Sequence, residues 1–332
     1  MEQKLIKPDI KVLDENGIPN QFGYNKKCVC DFNREDIAGC KMRLKEWDFY
    51  QINNTEWMVQ ITIGHASIAG TANISIINLL NGYVKNYTIP LFVPTKLLNM
   101  PDNGDKHTLV EYNKYGKLVR FEVGENCRNL TARNPQGLKL DLHLTDNCEG
   151  ILVCTPFKKP HQFYYNYKKN CMEVTGSIVF EDKKIVFDPK DSFCLIDWGR
   201  GVLPYNHKWW WGNGTHRLPD GKLFGFNLGV FGDNHNATEN MLFYDNKATK
   251  IEEVFVEKDG WLDKWKYTSS DGRFEMEFTP FYVHKTSYNF LVINNKCHQV
   301  WGKFNGFAIV DDNTKIEIKD MIAFTEFAHN HW

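Results

Sequence analysis

Residues 250–278 read KIEEVFVEKDGWLDKWKYTSSDGRFEMEF, and this stretch decides the fold class. Polar and apolar residues alternate in residues 250–257 and again in residues 273–278. That two-residue period is typical of a strand with one wet face and one buried face. Asp271-Gly272, just before the second run, is a strong hairpin signal. The stretch therefore predicts antiparallel strands joined by short turns.

The same rhythm extends over the rest of the chain. Residues 55–63 (TEWMVQITI) also read as a strand, and Asp220-Gly221 is a second strong turn signal. Predicted strands recur about every 8–12 residues, as in sandwiches and barrels. Helical patterning is scarce, with one short helix predicted in residues 35–47, although Gly39 weakens it. We therefore expect an all-β fold of antiparallel barrels with few short helices.

Length and composition predict two domains. The chain has 332 residues, which is more than one small core usually holds. Residues 155–170 (TPFKKPHQFYYNYKKN) contain two prolines and a run of bulky polar aromatics, which predicts a linker. We therefore expect domains at residues 1–165 and 166–332. Each is long enough for one eight-stranded barrel.

Charge and hydropathy exclude several classes of partner. The formal net charge is -1, which gives no field to attract nucleic acid. The first residues contain no apolar signal region, and no run of about 18 apolar residues predicts a membrane span. Nine cysteines form an odd set, which favours reduced thiols over a disulfide framework. We expect a cytoplasmic protein without nucleic-acid partners, whose oligomeric state stays open.

The densest group of polar and aromatic residues lies between residues 197 and 240. Asp197 follows the apolar run FCLI, so burial could raise its pKa and make it a general acid. Arg200 could orient it, and Glu239 could be the second carboxylate of an acid–base pair. The alternative is structural: Asp197 would bond the backbone of a glycine-rich turn and pair with Arg200.

Three consecutive tryptophans follow in the same region. On a strand, Trp209 and Trp211 share one face and Trp210 takes the other. One face could line a cavity for an apolar or ring-shaped ligand. Packing of all three rings into the core is the alternative.

Metal and cofactor motifs are missing from the sequence. His298, His329 and His331 invite a metal interpretation, and the last two would share a face if residues 322–332 form a strand. However, the sequence contains no HExxH and no CxxC pair. We therefore expect no metal site and no cofactor, and the two C-terminal histidines are interpreted as a polar strand end.

Several segments together resemble a known family. They are FCLIDWGRGVLPY at 193–205, WWWGNG at 209–214, RLPDGKLFGFNLG at 217–229, ATEN at 237–240 and FTEFAHNHW at 324–332. They resemble the family known as domain of unknown function 2804. That family is similar to the lipocalin-like group that includes carotenoid 1,2-hydratases and AttH-type proteins.

The resemblance implies two calycin-like barrels in tandem. It also implies enzyme activity on apolar substrates without a metal, as in the members of that group known to be enzymes. The motif residues that it marks as pocket or interface positions are Asp197, Trp198, Arg200, Trp209, Trp211, Asn213, Arg217, Asn227, Glu239 and Asn240.

Three functions stay open at this point. The first is a metal-independent acid–base enzyme of the hydratase, isomerase or lyase type, acting on a largely apolar small molecule in a barrel cavity. In it Asp197 is the acid, and Glu239 or Arg200 assists. The second is a non-catalytic carrier of a lipid or pigment. The third is a carbohydrate-active protein, suggested by tryptophans beside Asp, Glu, Arg and Asn.

Overall fold

Strands dominate the computed structural model, which describes residues 3–38, 43–66, 69–92, 98–231, 237–290 and 293–331. Among these residues, no helix is long and apolar enough to cross a membrane. The first thirteen strands are β1 (Gly23–Asn25), β2 (Leu44–Asn53), β3 (Trp57–His65), β4 (Ala69–Asn78), β5 (Val84–Phe92), β6 (Thr108–Lys114), β7 (Lys117–Gly124), β8 (Cys127–Arg133), β9 (Lys139–Thr145), β10 (Ile151–Pro156), β11 (Phe163–Phe180), β12 (Lys183–Phe187) and β13 (Phe193–Val202).

The chain continues into a second set of strands. These are β14 (Asn206–Arg217), β15 (Leu223–Phe231), β16 (Met241–Tyr244), β17 (Lys247–Lys250), β18 (Val254–Glu257), β19 (Trp265–Ser269), β20 (Phe274–Phe290), β21 (Ile293–Ile309) and β22 (Lys315–His331).

The strands form two antiparallel sheets, each curled into a half-barrel. The first sheet has the order β5-β4-β3-β2-β13-β11-β9-β8-β7-β6, and β1, β10 and β12 attach beside β11. The second sheet has the order β17-β16-β15-β14-β22-β21-β20-β19-β18. The prediction of an all-β fold with two barrel-like units is confirmed.

The hairpin at the end of the opening stretch forms as predicted. Asp271 Oδ1 accepts hydrogen bonds from Ser269 Oγ at 2.6 Å and from the Arg273 amide at 3.2 Å. Gly272 has φ +70°, the left-handed conformation that glycine tolerates best. In β20, Phe274 and every second residue up to Phe278 are buried, and the glutamates between them are exposed. Alternation in the sequence therefore reports the two faces of the sheet correctly.

The predicted linker is a hairpin within the first sheet. Residues 151–156 form β10 and residues 163–180 form β11, which pair with each other. Pro156 ends β10 and Pro160 lies in the turn that follows it. The aromatic run of residues 163–167 comes after both prolines and forms the start of β11. The expected boundary at residue 165 therefore falls inside β11, and the two sheets divide between Val202 and Asn206. The DWGRG segment, expected in the C-terminal unit, is the middle of β13 in the first sheet.

The helix predicted in residues 35–47 was wrong where the structure describes it. Arg34–Asp36 form a single 3-10 turn, β2 begins at Leu44, and residues 39–42 lie outside the described residues. β2 lies between β3 and β13, so both of its edges are hydrogen-bonded to neighbouring strands. Pairing on both edges overrides the weak helical pattern of this stretch.

Each half-barrel is filled by its own side chains. Leucines such as Leu130, Leu140 and Leu144 pack inside the first sheet, and the second is packed with aromatics such as Phe226 and Phe304. Two further apolar clusters lie between the sheets. A ligand site inside either barrel, as the sequence suggested, would have to displace this core, so the space for a ligand lies elsewhere.

Candidate functional site

A cavity of about 470 Å³ lies between the two sheets. Strands β2, β3, β4, β11 and β13 of the first sheet form one wall, and β14, β15, β21 and β22 of the second form the other. This volume is within the usual range of small-molecule sites. Aromatic rings form much of the lining, namely Trp47, Phe49, Tyr164, Trp209, Trp211 and Phe231.

A buried lysine is the centre of the polar part of the cavity. Tyr164, Asn166 and Lys168 alternate along β11 and therefore share the face toward the second sheet. Lys168 Nζ donates hydrogen bonds to Tyr164 OH and Asn166 Oδ1, both at 2.8 Å. It also lies 2.6 Å from Glu239 Oε2, which belongs to the second half of the chain. We call these four residues together with Asp197 the Lys168 cluster.

Asp197 is the neighbour of Lys168 on the adjacent strand β13. Its Oδ1 accepts hydrogen bonds from Asn166 Nδ2 at 2.6 Å and Trp47 Nε1 at 3.1 Å, and it lies 3.6 Å from Lys168 Nζ. The Trp47 ring lies over Gly199, where a Cβ would stand 2.1 Å from it. The glycine of the DWGRG motif thus lets the indole reach the carboxylate.

Glu239 is held in place by the asparagines of the sequence motifs. Asn227 Nδ2 donates to the Glu239 carbonyl at 2.9 Å, and Asn227 Oδ1 accepts from Trp211 Nε1 at 2.7 Å. Asn240 Oδ1 accepts from the Gly229 amide at 3.0 Å. The side-chain amides of Asn227 and Asn240 are used in hydrogen bonds within the protein. They fix the carboxylate and the indole that line the cavity.

A third carboxylate, Glu326 on β22, was not predicted from the sequence. Its Oε1 accepts from Trp209 Nε1 at 2.6 Å and its Oε2 from Gln299 Nε2 at 2.8 Å. Burial raises the pKa of Glu326, and the negative charge of Asp197 acts in the same direction. Burial likewise raises the pKa of Tyr164, helped by the nearby carboxylates. The cavity therefore contains two groups, a carboxyl and a phenol, whose protonated forms are favoured.

Arg200 and Trp198 do not reach the cavity. The Arg200 guanidinium lies inside the first half-barrel, 3.2 Å from Glu46 Oε1 and 2.9 Å from Asp48 Oδ1, and it stacks on Trp198. The expected pairing of Arg200 with Asp197 is wrong. Residues three apart on a strand point to opposite faces, and both lie within β13.

Two other predicted pocket residues have structural contacts. Arg217 lies at the end of β14 and contacts Glu173, with its NH1 donating to the Gly221 carbonyl at 2.8 Å. Asn213 is buried, and its Oδ1 accepts from Gln51 Nε2 at 3.3 Å. Neither belongs to the cavity lining. Asn213 is an interface position between the sheets, and Arg217 is the last residue of β14 and pairs with Glu173 of β11.

The tryptophan run alternates as predicted. Trp209 and Trp211 face the cavity, where Lys168 Nζ lies 5.2 Å from the Trp211 ring centre. Trp210 packs 5.5 Å from Tyr267 in the second half-barrel, and its Nε1 donates to Thr325 Oγ1 at 2.9 Å. The run therefore has one face toward the cavity and one face toward the core of the second half-barrel.

The three histidines considered as metal ligands are dispersed. His329 and His331 share a face of β22, as predicted, with ring centres 4.6 Å apart. His298 instead stacks on Trp261 at 4.1 Å. In the part of the chain that the structure describes, no group of three or more His, Cys, Asp or Glu side chains is arranged to hold a metal ion.

The residues missed by the sequence interpretation had a visible signal. Tyr164, Asn166 and Lys168 are polar at every second position within the aromatic run of residues 163–168. Interpreted as a strand, that run predicts one polar face and one apolar face. Interpreted as a linker, the run does not predict which of its side chains share a face. Glu326 and Gln299 had no such signal, because their juxtaposition depends on pairing between β21 and β22.

Comparisons with known proteins agree with this architecture. The model of the family described as domain of unknown function 2804 (DUF2804) matches residues 3–332. The chain belongs to this family. No curated protein sequence matches this DUF2804 protein.

Solved structures with a similar fold are distant in sequence. A protein of Nitrosomonas europaea described as AttH has a TM-score of 0.50 and 11% identity, over 90% of this chain and 96% of that chain. Kievitone hydratase of Nectria haematococca has a TM-score of 0.45 and 11% identity, over 87% and 88% of the two chains. At such identity, the likeness to the Nitrosomonas europaea protein shows the fold of this DUF2804 protein and nothing finer.

Proposed function

We propose that this protein is an acid–base enzyme that adds water to, removes water from, or shifts a double bond in a largely apolar small molecule. One observation carries the proposal: a cavity between the sheets, lined in part by aromatic rings, contains several ionisable side chains. Charged groups are costly to bury, and clusters of them in a cleft are typical of catalytic sites.

The carboxylates differ in their surroundings, which suggests their roles. Glu326 has a raised pKa, so it can carry the proton that a general acid donates. Asp197 accepts two hydrogen bonds at Oδ1 and lies near the Lys168 ammonium, which suits a carboxylate that receives a proton. This assignment replaces the expectation that Asp197 is the acid. Separate environments for two carboxyl groups are a common basis for acid–base pairs.

In the hydration direction, Glu326 gives its proton to one carbon of a double bond. A water molecule adds to the other carbon and loses a proton to Asp197. Dehydration runs the same steps in reverse, and a double-bond shift uses proton removal and return without water. Lys168, paired with Glu239 across the sheets, limits the build-up of negative charge beside Asp197.

The test uses isotopes and whatever small molecule the purified protein retains. Mass spectrometry identifies the molecule, and the complex is then incubated in H₂¹⁸O and, separately, in D₂O. Reversible hydration should place ¹⁸O and non-exchangeable deuterium in it, since water enters the molecule only in the hydration direction, whereas a double-bond shift should place deuterium only.

The same experiment addresses the other functions. A lipid or pigment carrier would retain the molecule and incorporate neither isotope, which would overturn the enzyme proposal. A retained sugar would favour the carbohydrate-active alternative and would overturn the proposal of a largely apolar substrate.

A further inference from the structure

One end of the cavity holds a basic side chain that the proposed chemistry does not use, and an exposed arginine lies close to it. Lys45 lines the cavity from β2 and is only 3% exposed. Arg43, two residues earlier, donates from NH2 to the Leu203 carbonyl at 2.8 Å, and Leu203 also lines the cavity. Lys45 pairs in register with Gly201, two residues before Leu203. Two cationic side chains therefore converge beside the same segment of the first sheet.

Burial and nearby positive charge both act on the ionisable groups at this end of the cavity. Burial, with the charge of Arg43, lowers the pKa of Lys45 to about 8. Burial also lowers the pKa of His207 to about 4, and Lys45 contributes to that shift. His207 Nδ1 donates to the Pro204 carbonyl at 2.6 Å, at the start of the second sheet. A carboxylate in contact with Lys45 would favour the charged form of the lysine.

Lys45 and the Lys168 cluster lie beside different positions of β2. Lys45, Trp47 and Phe49 follow one another on the cavity face, and Asp197 pairs in register with Phe49. Phe49 is four residue steps along β2 from Lys45, which corresponds to about 13 Å at roughly 3.3 Å per residue. The Trp47 ring lies between the two ends. A ligand that used both would be apolar in the middle.

We propose that the cavity binds small molecules with an apolar body and a carboxylate, and that Lys45 binds the carboxylate with support from Arg43. The reacting bond then lies toward Asp197 and Glu326. Treating this ligand as a substrate rests on the proposed function, whereas its binding does not. A buried ammonium and a carboxylate make a charge-assisted hydrogen bond, which is stronger than one between neutral groups.

Paired probes test the preference for an acid group. Saturated carboxylates from hexanoate to tetradecanoate and their methyl esters are titrated into the full-length protein, with calorimetry as the readout. The apolar bodies match, so the difference within a pair measures the acid group. We expect the best carboxylate to bind at least about tenfold tighter than its ester. Equal affinity within the pairs, or no binding by any carboxylate, would overturn the proposal.

Variants then assign the preference to a residue. Lys45→Met should remove it while leaving the affinity for the ester unchanged, and Lys45→Arg should keep it. Lys208→Met changes an exposed lysine near the start of β14 and should behave as wild type. A preference that survives in a folded Lys45→Met protein would exclude Lys45. If that variant does not fold, Lys45→Gln removes the same charge with a polar side chain, and a preference that survives in it would exclude Lys45.

Failure of this inference and failure of the proposed function are separable. A carboxylate preference without isotope incorporation describes a carrier of organic acids, and there the binding inference stands while the enzyme proposal falls. Isotope incorporation into a retained molecule that lacks an acid group, with equal affinity for acids and esters, would support the enzyme proposal and overturn the binding inference.

Discussion

Lys168 Nζ, on β11 of the first sheet, lies 2.6 Å from Glu239 Oε2, just before β16 of the second sheet. Both side chains are more than nine-tenths buried. The ion pair therefore joins the two half-barrels at the cavity, where water cannot compensate for the loss of either charge. The same cation lies 3.6 Å from Asp197, so it serves carboxylates from both walls.

Removing the cation should destabilise the fold strongly. Lys168→Met leaves the Glu239 and Asp197 carboxylates without their ammonium partner, and we expect a loss of about 3–5 kcal/mol in the free energy of unfolding. Glu239→Gln should cost less than that. The double variant should lose less than the sum of the two by about 0.5–3 kcal/mol, because the residues contact each other. Denaturant unfolding measures all three.

An exposed pair of nearly the same length is the control. Lys264 Nζ lies 2.7 Å from Glu277 Oε1, but the side chains are 66% and 52% exposed. Lys264→Met should change the free energy of unfolding by no more than about 1 kcal/mol. Equal losses in the buried and exposed variants would contradict the structural role given to Lys168.

Glu326 should make the stability of the protein depend on pH. Because its pKa is raised in the folded state, the unfolded chain loses this proton first as pH rises above about 4.3. The unfolded state is then favoured until the folded carboxyl ionises as well. Glu326→Gln removes this contribution, so the variant should gain stability relative to wild type in the range above about pH 4.3. Denaturant unfolding across that range measures the difference.

Glu317 lies on the same strand with a side chain that is 72% exposed, and it provides the control. Glu317→Gln should follow the wild-type profile. A pH-independent difference between wild type and Glu326→Gln would show that Glu326 does not titrate as its burial implies. The acid role proposed for it would then lose its support.

The contact of Trp47 with Gly199 predicts a steric effect. In Gly199→Ala the new Cβ would stand 2.1 Å from the Trp47 ring, so the indole must move away from Asp197. We expect a loss of about 1–3 kcal/mol, the usual cost of overpacking, and a changed tryptophan emission spectrum. Gly212→Ala is the control, since its Cβ would meet other atoms at 3.6 Å or more and should be tolerated. Equal stability of both variants would contradict this contact.

The sequence predicted the strands better than it predicted their partners. Alternation at Phe274 and Phe278 reports a local property, the two faces of a strand, and the structure confirms it. Which strands pair is a long-range property, and nothing local in the DWGRG segment shows that it lies between β2 and β11. The prolines of residues 155–170 favoured a linker for the same reason. When the partner strand is not known, a proline at a strand end and a proline in a linker give the same signal in the sequence.

The site was predicted in part, and the misses follow strand geometry. Asp197, Glu239, Trp209 and Trp211 do line one cavity. Arg200 was assigned to it by nearness in sequence, although an offset of three on a strand turns a side chain to the other face. The basis of the site is the packing of the two sheets against each other, a contact between positions far apart in the chain. Periodicity within one segment cannot report such contacts.

The catalytic role of Asp197 is open to a direct test. Asp197→Asn keeps the size of the side chain, and its amide oxygen can still accept from Trp47 and Asn166. If Asp197 receives a proton in the reaction, isotope incorporation into the retained molecule should fall by about 10²–10⁴-fold while the molecule stays bound. If it only braces the site, the variant should lose about 1–3 kcal/mol in stability and incorporate isotope as fast as wild type, per folded molecule. Asp141→Asn, on an exposed position of β9, controls for the loss of one charge. Unchanged incorporation in Asp197→Asn with a large loss of melting temperature would assign Asp197 to the architecture of the cavity and leave Glu239 and Glu326 to be tested as the other carboxyl groups.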